Sequence, residues 1–120
     1  MDQKSKIQAA IEAHTMWFLR IRTAIEKKIS DFKPEIVKTD NNCEFGKWLY
    51  GDFPLEFRNT PIYREIKEHH AKFHQLAGKI LELALSGKTQ EAVKAMEAGS
   101  EFKVLSLGLI TKLNALKKLL

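Results

Sequence analysis

Cys43 is the only cysteine among 120 residues, and the chain carries four histidines, His14, His69, His70 and His74. A single thiol cannot close a disulfide within the chain, which leaves metal ligation, nucleophilic attack or an inert packing role. Free cysteine is one of the most buried residue types and usually fills a small apolar space. The segment Asn42-Cys43-Glu44-Phe45-Gly46-Lys47-Trp48-Leu49-Tyr50-Gly51 argues for more than that. Asp40, Asn41 and Asn42 are all helix N-cap residue types, Gly46 interrupts a short apolar-aromatic turn, and Gly51 with Pro54 closes it. Cys43 is therefore expected in the first turn of a short helix. Unpaired N–H groups and the positive end of the helix dipole favour the thiolate there, the form that binds metal or attacks.

The histidines supply the other half of the chemistry. His70 and His74 are four residues apart, so on a helix they stack on one face, one turn apart, within reach of a single ion. His69 points about 100° away from His70 and has no histidine three or four residues off, so it reads as a neighbour rather than a ligand. His14 stands in an apolar stripe, Ile7, Ile11, His14, Phe18, Ile21 and Ile25, where the pattern asks for an aliphatic residue, and Trp17 lies a turn further on the same side. A lone stripe histidine is more often a core residue bonded to a carbonyl or carboxylate, and a His-x-x-x-His pair by itself is a weak signal. Taken together, three imidazoles and one thiolate make a tetrahedral set suited to Zn²⁺. Four protein ligands close the shell, which leaves no position for a catalytic water. The one thiolate is also the ligand most easily removed by oxidation.

Helices must bring these residues together. The first stripe predicts an amphipathic helix from about Gln3 to Ile29, with Asp2 or Ser5 near its start, ended by Asp31-Phe32-Lys33-Pro34 because the residue before a proline avoids the helical region. Residues 35 to 39 read as a loop or a short extended piece leading to the cysteine helix. Thr60-Pro61, a polar cap followed by proline at the first helical position, opens a third helix running to Ser86, with Gly87 just past its end. Its stripe of Ile62, Ile66, Phe73, Ala77, Ile80 and Ala84 encloses the histidine pair. Thr89 opens a last helix to about Lys118, with Val93, Met96, Phe102, Leu105, Leu109, Leu113 and Leu116 on one side and Gly99-Ser100 as a bend. Three long helices and one short one predict an all-α antiparallel four-helix bundle, a single domain over 1–120. Between Val104 and Ile110 the last helix turns apolar almost all round, with Leu107 and Ile110 added. That excess needs a partner surface, most simply a homodimer, or a fully internal helix.

Composition narrows the function classes. Apolar residues make up 44%, ordinary for a globular chain, and no run of about 18 apolar residues or apolar leader behind Met-Asp-Gln-Lys-Ser-Lys appears. A soluble, cytoplasmic chain without membrane insertion is expected, although a parent protein could be anchored elsewhere. Twenty basic against fifteen acidic residues leave a net charge of +5, but lysines alternate with glutamates and no basic block with exposed aromatics is present, so nucleic-acid binding is not expected. A cysteine-dependent enzyme would need a third orienting group that no Asn or Asp motif suggests. A di-iron bundle would need carboxylate-rich spacing that Glu65, Glu68 and His69 do not reproduce in two helices. A metal-free interaction bundle is the remaining alternative.

The three motifs His14-Thr15-Met16-Trp17, Cys43-Glu44-Phe45-Gly46-Lys47-Trp48-Leu49 and His70-Ala71-Lys72-Phe73-His74 resemble, in order and spacing, the chemoreceptor zinc-binding (CZB) domain of bacteria. The resemblance implies a dimerising helical bundle that binds zinc through His14, Cys43, His70 and His74, with Trp17, Gly46 and Trp48 in supporting positions. It further implies a regulatory rather than enzymatic module, attached to a chemoreceptor signalling domain or a diguanylate cyclase. The output of that partner would change with zinc occupancy or with oxidation of the zinc-bound cysteine, for instance by hypochlorous acid. No signalling or catalytic partner domain is expected within residues 1–120 themselves.

Overall fold

A computed structural model describes residues 2–120 of the chain. Helix α1 spans Gln3–Lys27, and Asp2 caps it by accepting the Ser5 N–H at 2.7 Å. It stops two residues before the expected Ile29, because Lys28 turns left-handed at φ 60° and returns its N–H to the Ala24 carbonyl. Ile29 is left 69% exposed. The buried line of α1 is Ile7, Ala10, His14, Trp17, Ile21 and Ala24, with Ile11, Phe18 and Ile25 packed at its edge. The stripe thus centres slightly to one side of the expected one, on positions where two alanines let a neighbouring helix approach closely.

The expected loop at 35 to 39 is instead mostly a single helical turn, α2, Pro34–Val37, started by a proline whose fixed φ suits the first helical position. A Cβ on Gly78 would lie 2.9 Å from the Pro34 carbonyl oxygen, so only glycine lets this turn settle on the second long helix. The cysteine-bearing helix α3 runs Glu44–Tyr50. Beyond it a 3₁₀ turn at Leu55–Phe57 leads to α4, Pro61–Leu85, capped by Thr60 and ended by Ser86 and a left-handed Gly87. Two ties hold α3 to the start of α4. The Tyr63 hydroxyl donates to the Leu49 carbonyl at 2.9 Å, and Phe53 is buried between Trp48 and a stacked Tyr63 ring at 4.4 Å.

The last segment is two helices where one bent helix was expected: α5, Thr89–Ala95, and α6, Glu101–Leu119. Gly99 takes φ +83°, and Ser100 starts a new helix by accepting the Lys103 N–H, so the break is a full stop and restart. With the phase reset, Ala92 is buried and Val93 is 46% exposed. The all-α bundle is what forms. Its direction follows from pairs across it: Lys117 bonds Gln8 and Phe102 meets Phe18, while Lys112 pairs with Glu65 and Phe102 meets Phe73. Helix α6 therefore runs antiparallel to both α1 and α4, which lie side by side in the same direction, and residues 28 to 60 carry the chain back between them. The core fills the space among these three, with Phe73, Phe102, Leu109, Leu113 and Leu116 at its centre. No helix of the described residues is long and apolar enough to cross a membrane.

Candidate metal centre

His14, Cys43, His70 and His74 converge, their ligand atoms all within 4.8 Å of one another, with the three histidines buried and the cysteine partly so. They come from three elements: the middle of α1, the start of α3 and the middle of α4. His70 Nε2 lies 3.1 Å from both His14 Nε2 and His74 Nε2, and His14 and His74 Nε2 are 3.4 Å apart. Cys43 Sγ lies 3.4 Å from His70 Nε2. A tetrahedron with Zn–N of about 2.05 Å and Zn–S of about 2.3 Å has edges of about 3.3 and 3.5 Å. The three nitrogen–nitrogen separations and the distance from the sulfur to His70 Nε2 lie close to those edge lengths.

In two of the three rings the second nitrogen explains why the first points inward. His14 Nδ1 donates to the Ala10 carbonyl at 2.7 Å, and His74 Nδ1 donates to the Val37 carbonyl at 2.9 Å, at the otherwise unpaired end of α2. A carbonyl only accepts, so both rings carry their hydrogen on Nδ1 and present the Nε2 lone pair to the centre. Two such lone pairs cannot hydrogen-bond each other. At these separations, in a buried site, they repel unless a cation lies between them. The donor set therefore fits Zn²⁺ in number, softness and geometry.

Cys43 itself is the N-cap of α3, and its sulfur accepts the Gly46 N–H at 3.2 Å. Asp40, Asn41 and Asn42, read from sequence as caps, do not serve as such. Asn42 donates to the Thr39 hydroxyl, and Asp40 turns toward His70 and the Tyr50 hydroxyl. The expected preference for thiolate is also reversed in the metal-free protein. Burial pushes the Cys43 thiol up, the N–H groups of Gly46 and Phe45 offset this only in part, and the nearby Asp40 charge adds to it. The histidines are driven the other way. Burial lowers His14 to about 4 against the help of the Ala10 bond. Burial and then the two neighbouring imidazoles lower His70 to about 2, and His74 is also held down by burial.

Aromatic rings wall the site. Phe45 presents an edge-to-face contact to His70 at 5.1 Å and to His14 at 6.0 Å, and Phe73 closes on His14 at 5.1 Å. Trp17 packs against Phe32 with the Arg20 guanidinium over both rings, and Trp48 packs on Phe45. A cleft of about 830 Å³ opens on Cys43, His14 and His74 and is bordered by Trp17, Trp48 and Lys47. His69 stands outside the cluster, as its helical position indicated, with Nδ1 donating to the Glu65 carbonyl at 3.0 Å. Sequence reasoning missed Asp40 and Tyr50 as neighbours of the site, the Val37 carbonyl, and Gly78. Only the Asp40–Tyr50 pair left any trace, as two polar residues flanking the cysteine motif.

Three imidazoles and one cysteine sulfur converge within a helical bundle as a candidate His₃Cys metal site. A sequence profile of the chemoreceptor zinc-binding domain matches residues 14–81, more than half of the chain and all four converging residues. The chain belongs to the chemoreceptor zinc-binding domain family. Comparison with curated proteins and with solved structures gave no match.

Proposed function

We propose that His14, Cys43, His70 and His74 bind one Zn²⁺ and that the domain, residues 1–120, is a regulatory module. In this reading it reports zinc occupancy or oxidant exposure to a signalling partner such as a chemoreceptor or a diguanylate cyclase. The observation that carries the reading is the convergence of three Nε2 atoms at 3.1 to 3.4 Å, two of them held as lone pairs by carbonyl bonds to Nδ1, with a sulfur 3.4 Å from the third. The bound ion would supply a Lewis acid that stabilises the Cys43 thiolate against the burial that otherwise keeps it protonated. Everything else is done by the chain. His14 ties α1, Cys43 ties α3, and His70 and His74 tie α4 to one point, while the Val37 carbonyl draws α2 in behind His74. Loss of the sulfur, the only donor from the 28 to 60 connection, would release that connection from the ion and leave it held to α4 by packing and hydrogen bonds alone, a loosening a neighbouring domain can read. The cleft beside Cys43 gives a small oxidant a path to the sulfur.

The same reading places the module in the cytoplasm, outside the membrane, as a homodimer. Val104 and Leu107 of α6, 59% and 64% exposed, with Met16 and Leu19 of α1, supply apolar surface for a second copy. Metal analysis of protein purified without added zinc tests the site: one zinc per chain is expected, and Cys43→Ala should hold it far more weakly. A wild type free of zinc, or a variant that binds as tightly, refutes the reading. The oxidant half has its own test, in which stoichiometric hypochlorous acid should release zinc from the wild type; an unchanged site discards it.

One observation favours an enzyme instead. Cys43 Sγ, His70 Nε2 and, 3.7 Å behind His70 Nδ1, the Asp40 carboxylate form a nucleophile–base–acid row. Such a row needs an imidazole able to take the thiol proton. Burial opposes both halves of that transfer here, raising the thiol and lowering His70. Selective alkylation of Cys43 in the zinc-loaded protein would favour the enzyme; protection of the thiol favours the regulatory site.

A further inference from the structure

Of the three histidine Nδ1 atoms around the centre, two meet carbonyl oxygens and one does not. His70 Nδ1 is the only buried side-chain nitrogen or oxygen among the described residues without a hydrogen-bond partner. An orphaned buried donor is costly, so its surroundings are informative. The group facing it is the Asp40 carboxylate, with Oδ2 at 3.7 Å, just outside hydrogen-bond range. The same oxygen accepts the Tyr50 hydroxyl from the last turn of α3. Asp40 is brought there by backbone packing. Gly46, in the first turn of α3, has the Asp40 carbonyl oxygen where a Cβ would stand and the Asn41 Cα 3.1 Å from that point, so the 40–42 turn lies directly on the helix. Both converging histidines of α4 thus look toward the connection that carries the sulfur, His74 through the Val37 carbonyl and His70 through Asp40.

We propose that Asp40 is the positioning residue for His70. Its carboxylate accepts the His70 Nδ1 hydrogen when the centre is loaded, fixes the tautomer that turns Nε2 inward, and is itself held by the Tyr50 hydroxyl. The inference rests on the zinc reading above. A ligating imidazole is normally backed by an acceptor on its far nitrogen, which makes it a better donor and stops it rotating. Closing about 0.7 Å requires only a small swing of a side chain already anchored by Tyr50. The single negative charge also balances the formal +1 left on a centre of Zn²⁺ and one thiolate. Among the described residues, no other acidic group lies within ion-pair distance of the cluster's histidines.

The test measures zinc affinity of the full chain by competition with a chromophoric chelator, together with imidazole ¹H–¹⁵N spectra of the zinc-loaded wild type. Asp40→Ala and Asp40→Asn should weaken binding by about ten- to a hundredfold, the range typical of removing such a partner. Tyr50→Phe, which keeps the carboxylate but frees it, should lose less. Glu44→Gln, an exposed carboxylate beside the ligand itself, should change nothing. In the wild type, the His70 Nδ1 hydrogen should be slow to exchange and shifted downfield as a bond to a carboxylate requires. That signature does not depend on any variant folding. Wild-type zinc binding with no protected Nδ1 hydrogen, or with both Asp40 variants binding within about twofold of wild type, overturns the inference and leaves the zinc reading intact. A wild type that binds no zinc overturns both.

Discussion

At the scale of single residues, the centre is defined by where hydrogens sit. His14 and His74 are committed by carbonyl acceptors to a tautomer that points lone pairs at each other, and burial keeps all three imidazoles neutral in the metal-free protein. This has a consequence for acid stability. A histidine whose folded value lies below its unfolded value of about 6.5 binds protons in the unfolded chain first, so its contribution is present above that pH and lost as pH falls. The melting temperature of zinc-free protein should hold above about pH 6.5 and drop steadily down to about pH 4, the value for His14, and lower still for His70. A flat profile across that window would mean the rings are not buried neutral. Replacing His14 by Phe removes one of the three acid-labile groups while filling the space, and should make the drop between about pH 6.5 and 4 shallower, with His70 and His74 supplying the rest.

At the scale of elements, the connection formed by α2, the 38–43 turn and α3 is positioned by the absence of two side chains. Gly78 admits α2 onto α4, and Gly46 admits the Asp40 carbonyl onto α3. At Gly46 every close neighbour is backbone, which cannot swing aside as a flexible side chain would; at Gly78 the Lys38 side chain lies nearest, with the Pro34 carbonyl just beyond it. Gly46→Ala should therefore destabilise the fold by about 1–3 kcal/mol, as overpacking does. It should also weaken zinc binding, because the displaced turn carries Cys43, whereas a surface alanine elsewhere should leave both unchanged. The break between α5 and α6 depends on Ser100 as a new N-cap. Ser100→Ala should cost about 1 kcal/mol in chemical denaturation without touching zinc affinity. Equal effects of these two substitutions on zinc affinity would contradict the division of labour described here.

At the scale of the molecule, one ion would join three elements drawn from separate parts of the chain. Binding free energy of a structural zinc reaches on the order of 10 kcal/mol at neutral pH, comparable with the whole stability of a domain of this size. Chelation should lower the melting temperature. Amide hydrogens of residues 34–51 should lose protection more than those of α6, which contributes no ligand. Uniform loss of protection would mean that the ion supports the whole fold rather than the connection. For the proposed dimer, Leu107→Glu on the exposed flank of α6 should convert the sedimenting species from two chains to one.

Much of this was legible along the chain because helical periodicity and ligand chemistry are local properties. The i, i+4 spacing of His70 and His74, the place of His14 in an apolar stripe, the Thr60-Pro61 start and the lone cysteine beside a glycine together determined an all-α bundle, the four candidate donors and the exclusion of His69. Tertiary structure decided the rest. Which carbonyl backs His74, whether Asp40 caps a helix or faces an imidazole, and where α5 gives way to α6 depend on backbone paths that meet across long separations in sequence. The sign of the thiol's shift depends on the same closure, since the pull of a helix N-terminus is readable from neighbours but the opposing cost of burial exists only once the other helices have shut water out.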